Sequence, residues 1–148
     1  MRFMQWLLGR KSAPQADVLE TQLAEDSILD ATFRFVAVDV ETANAETASI
    51  CQLGLALVNE DGAVQTLSYL IDPQAPFDSN NSALHGISAP KVKRRPTFPA
   101  GFKTLRPLLE RNALIQHSSF DKRAIDGACA RYKLSPPRAT WFDSVEIA

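Results

Sequence analysis

The sequence predicts a single α/β domain in which helices flank a mixed β-sheet. Three apolar, β-branched runs joined by short turns come first, and helical patterns alternating with short strands follow. An antiparallel meander followed by strands that need crossover connections gives a sheet with both kinds of strand pairing. At 148 residues the chain is long enough for one domain with its own core.

The first three strands are the clearest local signals. Residues Phe33–Thr42 form an apolar, β-branched run that suits a buried central strand. A second strand is predicted over Ile50–Val58 and a third over Ala63–Ile71. The dipeptide Asp61-Gly62 between them is typical of a hairpin turn, so these two strands should pair antiparallel.

The second half of the chain predicts helices that alternate with short strands. Residues 73–99 are proline-rich and are expected to be irregular, apart from a helical turn at Ser82–His85. Pro107 lies inside a helical pattern and is expected to weaken or kink that helix. The predicted elements are a helix at Phe98–Glu110, a strand at Ala113–Gln116, a helix at Phe120–Tyr132, a strand at Thr140–Phe142 and a helix that begins at Ser144.

The beginning of the chain is assigned to a separate segment. Residues 1–31 are predicted to form an N-terminal arm and a short helix over Val18–Leu29, and residues 32–148 form the domain. The apolar stretch Met1–Leu8 is too short and too interrupted to span a membrane. We therefore expect a cytoplasmic protein with no membrane partner. The arm either docks on another protein or folds back onto its own domain.

Composition and charge are those of an ordinary globular protein. Apolar residues make up 45% of the chain and charged residues 22%, and the formal net charge is −1. This balance excludes a polycation but leaves room for a local basic surface. Cys51 and Cys129 are far apart and have no histidine cluster nearby, which argues against a zinc site. Two buried thiols are expected, with one long-range disulfide as the alternative.

Three acidic residues are the candidates for chemistry. Asp39 and Glu41 are two positions apart on the predicted first strand, so their side chains share a face. Two adjacent carboxylates repel unless a cation lies between them, and Mg²⁺ or Mn²⁺ prefers such oxygen ligands. Asp121 opens the Phe120–Tyr132 helix and would reach the same edge of the sheet if its strand lies beside the first one. The alternatives are solvated acids at a strand end and, for Asp121, a favourable interaction with its own helix dipole.

Four short motifs carry a family resemblance. Residues 35–42 (FVAVDVET) resemble the first motif of the DnaQ-like, or DEDD-type, 3′–5′ exonucleases, and residues 115–121 (IQHSSFD) resemble the second, with Ser118 where asparagine is usual. Residues 84–87 (LHGI) resemble a turn between those motifs, and residues 141–144 (WFDS) the approach to the third. The resemblance is closest to the proofreading epsilon subunit of bacterial DNA polymerase III, in the histidine subgroup.

The resemblance implies a ribonuclease H-like fold and a two-metal hydrolytic site. Asp39, Glu41 and Asp121 would be the catalytic residues and would bind two Mg²⁺ or Mn²⁺ ions. Such a pair of ions activates a water and stabilises the departing 3′ oxygen. The family's third motif supplies a histidine base and a fourth acid, but it would lie beyond Ala148. We therefore expect a chain truncated before the third motif, with its last helix missing.

The resemblance also implies the substrate contacts. Thr42, through its backbone, and His85 would face the terminal nucleotide, and Phe120 would pack near its base. The alternative for His85 is a structural turn histidine, and His117 is expected to be structural rather than the catalytic base. The basic run Lys91–Arg95 is expected to form a loop that either contacts phosphates or is simply solvated.

Together these features predict a 3′–5′ exonuclease acting on the 3′ ends of single-stranded DNA, with RNA as an alternative substrate. A DNA polymerase is a candidate partner, and a homodimer would cover the surface left by the missing helix. A second hypothesis is a nuclease-like module that binds nucleic acid or a polymerase without turnover. A third is a 3′–5′ exoribonuclease.

Overall fold

The computed structural model describes residues 26–147, with side chains from residue 28 onward, and a mixed sheet lies at its centre. The predicted N-terminal arm and most of the predicted Val18–Leu29 helix lie outside the described residues. The described part of that helix is α1 (Asp26–Leu29). The boundary assigned between residues 31 and 32 stays a prediction.

Within residues 26–147 the sheet has five strands: β1 (Phe35–Thr42), β2 (Ile50–Val58), β3 (Val64–Leu70), β4 (Leu114–Gln116) and β5 (Trp141–Asp143). Their order across the sheet is β3-β2-β1-β4-β5, so β1 is central. β1 pairs antiparallel with β2, and β2 with β3. β1 pairs parallel with β4, and β4 with β5. The predicted α/β class, with a meander followed by parallel strands, is confirmed.

The hairpin between β2 and β3 forms where the Asp61-Gly62 pair predicts it. Gly62 has a φ of 87°, in the left-handed region that glycine adopts without steric cost. The Asp61 carboxylate accepts the Ala63 amide at 2.9 Å, and the Asn59 amide donates to the Ala63 carbonyl at 2.9 Å. Local side-chain and backbone hydrogen bonds therefore fix this turn.

In the part of the chain that the structure describes, five helices follow the meander: α2 (Ser79–His85), α3 (Ala89–Val92), α4 (Phe98–Arg111), α5 (Phe120–Arg131) and α6 (Ser144–Ile147). The prediction of a loop at Lys91–Arg95 is wrong at its start, because Lys91 and Val92 belong to α3. Pro90 lies in the first turn of α3, where proline is favoured because its missing N–H needs no partner. The side chain of Val92, which is 2% exposed, anchors the turn in a small cluster with Ile87.

Helix α4 supplies much of the main core. Its buried side chains recur every three or four residues, as expected for one apolar helix face. Pro107 lies inside α4 without ending it, and its ring is exposed on the outer face. The core joins this helix to β1, β2 and α5 through Val36, Val38, Leu53, Leu55, Phe98, Phe102, Leu105, Leu108, Ile125 and Ala128.

The first strand begins later than predicted. Phe33 and Arg34 precede β1, and the Phe33 amide donates to the Asn112 carboxamide oxygen at 2.6 Å instead of to a strand neighbour. Asn112 also donates to the Leu108 carbonyl at 2.8 Å. This buried asparagine therefore connects the end of α4 to the segment that enters the sheet.

Both cysteines are buried free thiols, so the disulfide alternative is wrong. Burial raises the pKa of the Cys51 thiol to about 12 and that of Cys129 to about 11. Across residues 26–147, no helix has the length and apolar character needed to cross a membrane.

Candidate active site

Two of the three predicted acids lie at the carboxyl end of the central strand. Asp39 and Glu41 occupy alternate positions of β1, so their side chains share one face of the sheet. Both residues are partly exposed. Because β1 and β4 are parallel, the segment that leaves β4 begins at the same edge of the sheet.

Asp121 is hydrogen-bonded to the backbone between these two acids. It is the second residue of α5, is 5% exposed, and its Oδ1 accepts the backbone N–H of Val40 at 2.8 Å. Val40 separates Asp39 from Glu41 in β1. The structure therefore brings the backbones of the three predicted acids together at one edge of the sheet.

The electrostatic environment of Asp121 disfavours its charged form. The pKa of Asp121 is raised to about 6, mainly by burial and to a smaller extent by the nearby charge of Glu41, although the hydrogen bond from Val40 opposes the rise. A carboxylate that is buried beside another acid binds a cation or a proton more readily than one in water. The site therefore has the charge pattern expected where a metal ion is needed to compensate the acids.

The donor set and the backbone placement suit a hard divalent cation, because all three candidates offer carboxylate oxygens. Among the described residues, however, no three His, Cys, Asp or Glu side chains converge into a metal-binding group. Asp39 and Glu41 each already have an interaction partner. The structure thus brings the three acids to one edge without arranging their side chains as a complete ligand sphere.

His85 occupies an interior position near Thr42 and is 8% exposed. The Ile87 amide donates to its Nδ1 at 3.0 Å, and its Nε2 lies 2.9 Å from the Thr42 carbonyl oxygen. A carbonyl only accepts, so Nε2 carries the proton and His85 is the neutral Nε2–H tautomer. Both ring nitrogens are therefore engaged within the chain, and neither is available as a general base.

Thr42 is also held by α2. The side-chain amide of Asn81 donates to the Thr42 carbonyl at 3.1 Å and to the Asn44 carbonyl at 3.3 Å. Asn81 was not among the predicted site residues. A signal for it existed in its position four residues before His85, which places both side chains on one helix face.

The second-motif turn is fixed from β5. The Asp143 carboxylate accepts the amides of Ser118, at 3.0 Å, and Val145, at 2.9 Å. Ser118 has a φ of 68°, an uncommon conformation for a residue other than glycine. Nδ1 of the exposed His117 lies 2.9 Å from the Ser144 hydroxyl. Asp143 thus positions the turn that leads to Asp121.

Phe120, the third predicted substrate contact, begins α5 and is partly buried against the main core. Phe120 as a whole is partly exposed and directly precedes Asp121. Its role beside a base, like the roles of Thr42 and His85, stays a prediction.

A meander extended by two parallel strands, with acids at the carboxyl end of the central strand, defines the ribonuclease H-like class of α/β domains. The sequence model of the RNase_T exonuclease family matches residues 36–148. The chain belongs to this exonuclease family, and the predicted class of enzyme, an exonuclease, is confirmed. No curated protein matches the chain.

Solved exonuclease structures share the fold. Exonuclease X in complex with 5′ overhanging duplex DNA is 20% identical with a TM-score of 0.61, covering 77% of this chain and 61% of its own. Product-bound exonuclease I is 13% identical with a TM-score of 0.67, and the match covers 79% of this chain and 31% of exonuclease I. A 3′-exonuclease that recognises a histone mRNA stem-loop is 20% identical with a TM-score of 0.60, and the match covers 72% of this chain and 56% of that exonuclease. The chain thus spans less than two thirds of the length of each of these proteins.

Proposed function

We propose that this chain is a metal-dependent 3′–5′ exonuclease domain that hydrolyses phosphodiester bonds at the 3′ end of single-stranded DNA. The observation that carries the proposal is the hydrogen bond from Val40 to Asp121, which holds the third acid on the backbone between Asp39 and Glu41. Membership of an exonuclease family supports the reaction class. Domains of this family typically depend on a divalent metal.

Asp39, Glu41 and Asp121 are the residues that would hold two Mg²⁺ or Mn²⁺ ions. The metals, when bound, supply a more acidic water and a positive charge for the leaving 3′ oxygen. Asp121 contributes a carboxylate whose position the Val40 amide fixes, so its ordering needs little further loss of entropy. The buried position of Asp121 strengthens its attraction to a cation, because fewer water dipoles compete.

The other residues of the site would hold neighbouring groups in place and would not transfer protons. His85 and Asn81 hold the Thr42 carbonyl and so fix the end of β1 beside the acids. Phe120 is partly exposed, and its aromatic ring would stack on the terminal base. Because both nitrogens of His85 are engaged, a general base for the attacking water is not assigned to it.

The family branch, the partner, the oligomeric state and the cellular location are part of the same proposal. The motifs at residues 35–42 and 115–121 resemble those of the proofreading epsilon branch, and this resemblance supports the proposal of a DNA polymerase as partner. A homodimer and a cytoplasmic location likewise stay predictions.

The test is hydrolysis of a 5′-labelled single-stranded oligodeoxynucleotide by the full chain, with Mn²⁺ and with chelator. We expect stepwise shortening from the 3′ end that requires the metal and is lost in Asp39→Asn. The matched control is Glu60→Gln, an exposed acid in the β2–β3 turn, which should retain full activity. Circular dichroism should show that both variants fold. Metal binding without shortening would favour the binding-module hypothesis, and faster shortening of the equivalent RNA would identify an exoribonuclease.

A further inference from the structure

A recess of about 300 Å³ lies beside the predicted active site. It is lined by Gln52, Ser68 and Leu70 of the sheet, by His85, Gly86 and Ile87 at the end of α2, and by Lys91 of α3. The Gln52 side-chain amide donates to the Ser68 hydroxyl. The recess therefore combines polar groups that can face a phosphate with apolar surface that can face a sugar.

The sheet register connects this recess to the acids. Asp39 lies opposite Gly54, and Gly54 lies opposite Ser68, so all three share one face of the sheet. In the same way, Glu41 lies opposite Gln52. Two strand spacings, about 10 Å, therefore separate Asp39 from Ser68.

Gly54 keeps the path between the acids and the recess open. A Cβ at this position would lie 3.7 Å from the Asp39 Cβ and 3.3 Å from the Asp39 carbonyl oxygen. Gly54 is itself partly exposed. Gly54 has no side chain to rise from the floor between Asp39 and Ser68, so residue 54 itself leaves room for an extended chain to lie there.

The far side of the recess is positively charged. Lys91 is exposed, and its ammonium donates to the Gly86 carbonyl at 2.6 Å, which holds it at the rim. That bond uses one of the three N–H groups of the ammonium. Lys93 and Arg94 follow and are exposed. No ion pair within residues 26–147 neutralises Lys91, Lys93 or Arg94.

We propose that the recess at Gln52, Ser68 and Lys91, together with Lys93 and Arg94, binds the sugar–phosphate backbone of the nucleic-acid strand on the 5′ side of the cleaved bond. This inference rests on the proposed function. Phe120, the predicted contact of the terminal base, begins α5 shortly after β4, and β4 lies on the opposite side of β1 from β2 and β3. The rest of the strand then leaves across β2 and β3 toward the three cations.

The experiment compares two double variants of the full chain. Lys93→Gln with Arg94→Gln removes two charges beside the recess. Lys133→Gln with Arg138→Gln removes two exposed charges elsewhere and is the matched control. The affinity of each for a labelled oligothymidylate is measured in chelator, without turnover, over a range of salt concentrations.

We expect the first double variant to bind less tightly and its logarithmic salt slope to fall by about 1.4, since each phosphate contact on a single strand contributes about 0.7. Lys91→Gln alone should lower the slope by about 0.7. The control should keep the wild-type slope. A slope unchanged in the first variant, or lowered equally in both, would overturn the proposal.

A separate measurement distinguishes this proposal from the proposed function. Wild-type hydrolysis of an aryl ester of thymidine 5′-monophosphate, with Mn²⁺, tests the acids on a substrate that has no strand 5′ of the cleaved bond. Failure of this reaction counts against the exonuclease assignment. The salt slopes still decide whether the basic recess binds the strand, because they are measured without turnover.

Discussion

Replacing Asp121 by asparagine removes a charge that the folded chain accommodates poorly. The folded pKa of about 6 lies above the ordinary value of 3.8. At roughly 1.4 kcal/mol per pH unit, ionising Asp121 lowers the free energy of unfolding by about 3 kcal/mol. Asparagine keeps the oxygen that accepts the Val40 amide but never ionises.

The sign of the pH dependence follows from the raised pKa. Below pH 3.8, Asp121 is protonated in both states and the destabilisation is absent. Between pH 3.8 and about 6 the folded chain binds more protons than the unfolded chain, so stability falls as pH rises. Above about pH 6 Asp121 is ionised in both states, and the full loss of unfolding free energy is present. Asp121→Asn should therefore match the wild type at pH 3.5 and exceed it by up to about 3 kcal/mol at pH 8.

The assay is urea unfolding of both proteins in chelator, followed by circular dichroism from pH 3.5 to 8. Asp126→Asn is the control, because Asp126 lies on the same helix but pairs with Lys122 at the surface. The free energy of unfolding of Asp126→Asn should differ from that of the wild type by no more than about 0.5 kcal/mol. A wild-type minus Asp121→Asn difference that does not change with pH would refute the reasoning. Adding Mn²⁺ at 100 times its dissociation constant should stabilise the wild type by about 2.7 kcal/mol and leave Asp121→Asn unchanged.

Three further predictions concern the fold. Leu105→Ala should lower the free energy of unfolding by about 2–5 kcal/mol in urea titrations, since Leu105 is fully buried, whereas the exposed Lys103→Ala should cost less than about 0.5. Asn112→Ala leaves the buried Phe33 amide without its partner and should cost about 1–3 kcal/mol, with faster hydrogen exchange at that amide; unchanged exchange would contradict the assignment. Gly62→Ala forces a side chain into the left-handed region and should lower the thermal midpoint, at a cost of about 1–2 kcal/mol; an unchanged midpoint would show that the turn relaxes.

The sheet was predictable because its signals are local. Alternation of period two placed Asp39 and Glu41 on one face, and the Asp61-Gly62 pair located the hairpin. The start of β1 was not predictable, because the amide of Phe33 pairs with Asn112, 79 positions away along the chain. The loop predicted at Lys91–Arg95 was wrong at its start because a proline is also favoured in the first turn of a helix, where Pro90 lies in α3.

The candidate site was predictable in its residue types but not in its contacts. The sequence named His85 as a substrate contact, yet the structure shows its ring joining the Thr42 carbonyl to the Ile87 amide. No spacing rule indicates which tautomer a histidine adopts, because the hydrogen-bond partners come from distant segments. The absence of a side chain at Gly54, which lies beside Asp39, acquires meaning only once the register of β1 and β2 is known.

The position of Asp121 beside the backbone between Asp39 and Glu41 depends on how short β4 is. The strand has three residues and pairs with β1 only at Val36 and Ala37. The Val36 amide donates to the Ala113 carbonyl on the β4 side, and the Val40 amide, four positions on, points the same way beyond the end of β4. That N–H would be unsatisfied if the Asp121 carboxylate did not accept it. A longer β4 would occupy this amide and displace α5 from the edge of the sheet. Because β4 ends before Val40, the Val40 amide is left for Asp121, whose carboxylate is therefore held on the backbone between Asp39 and Glu41.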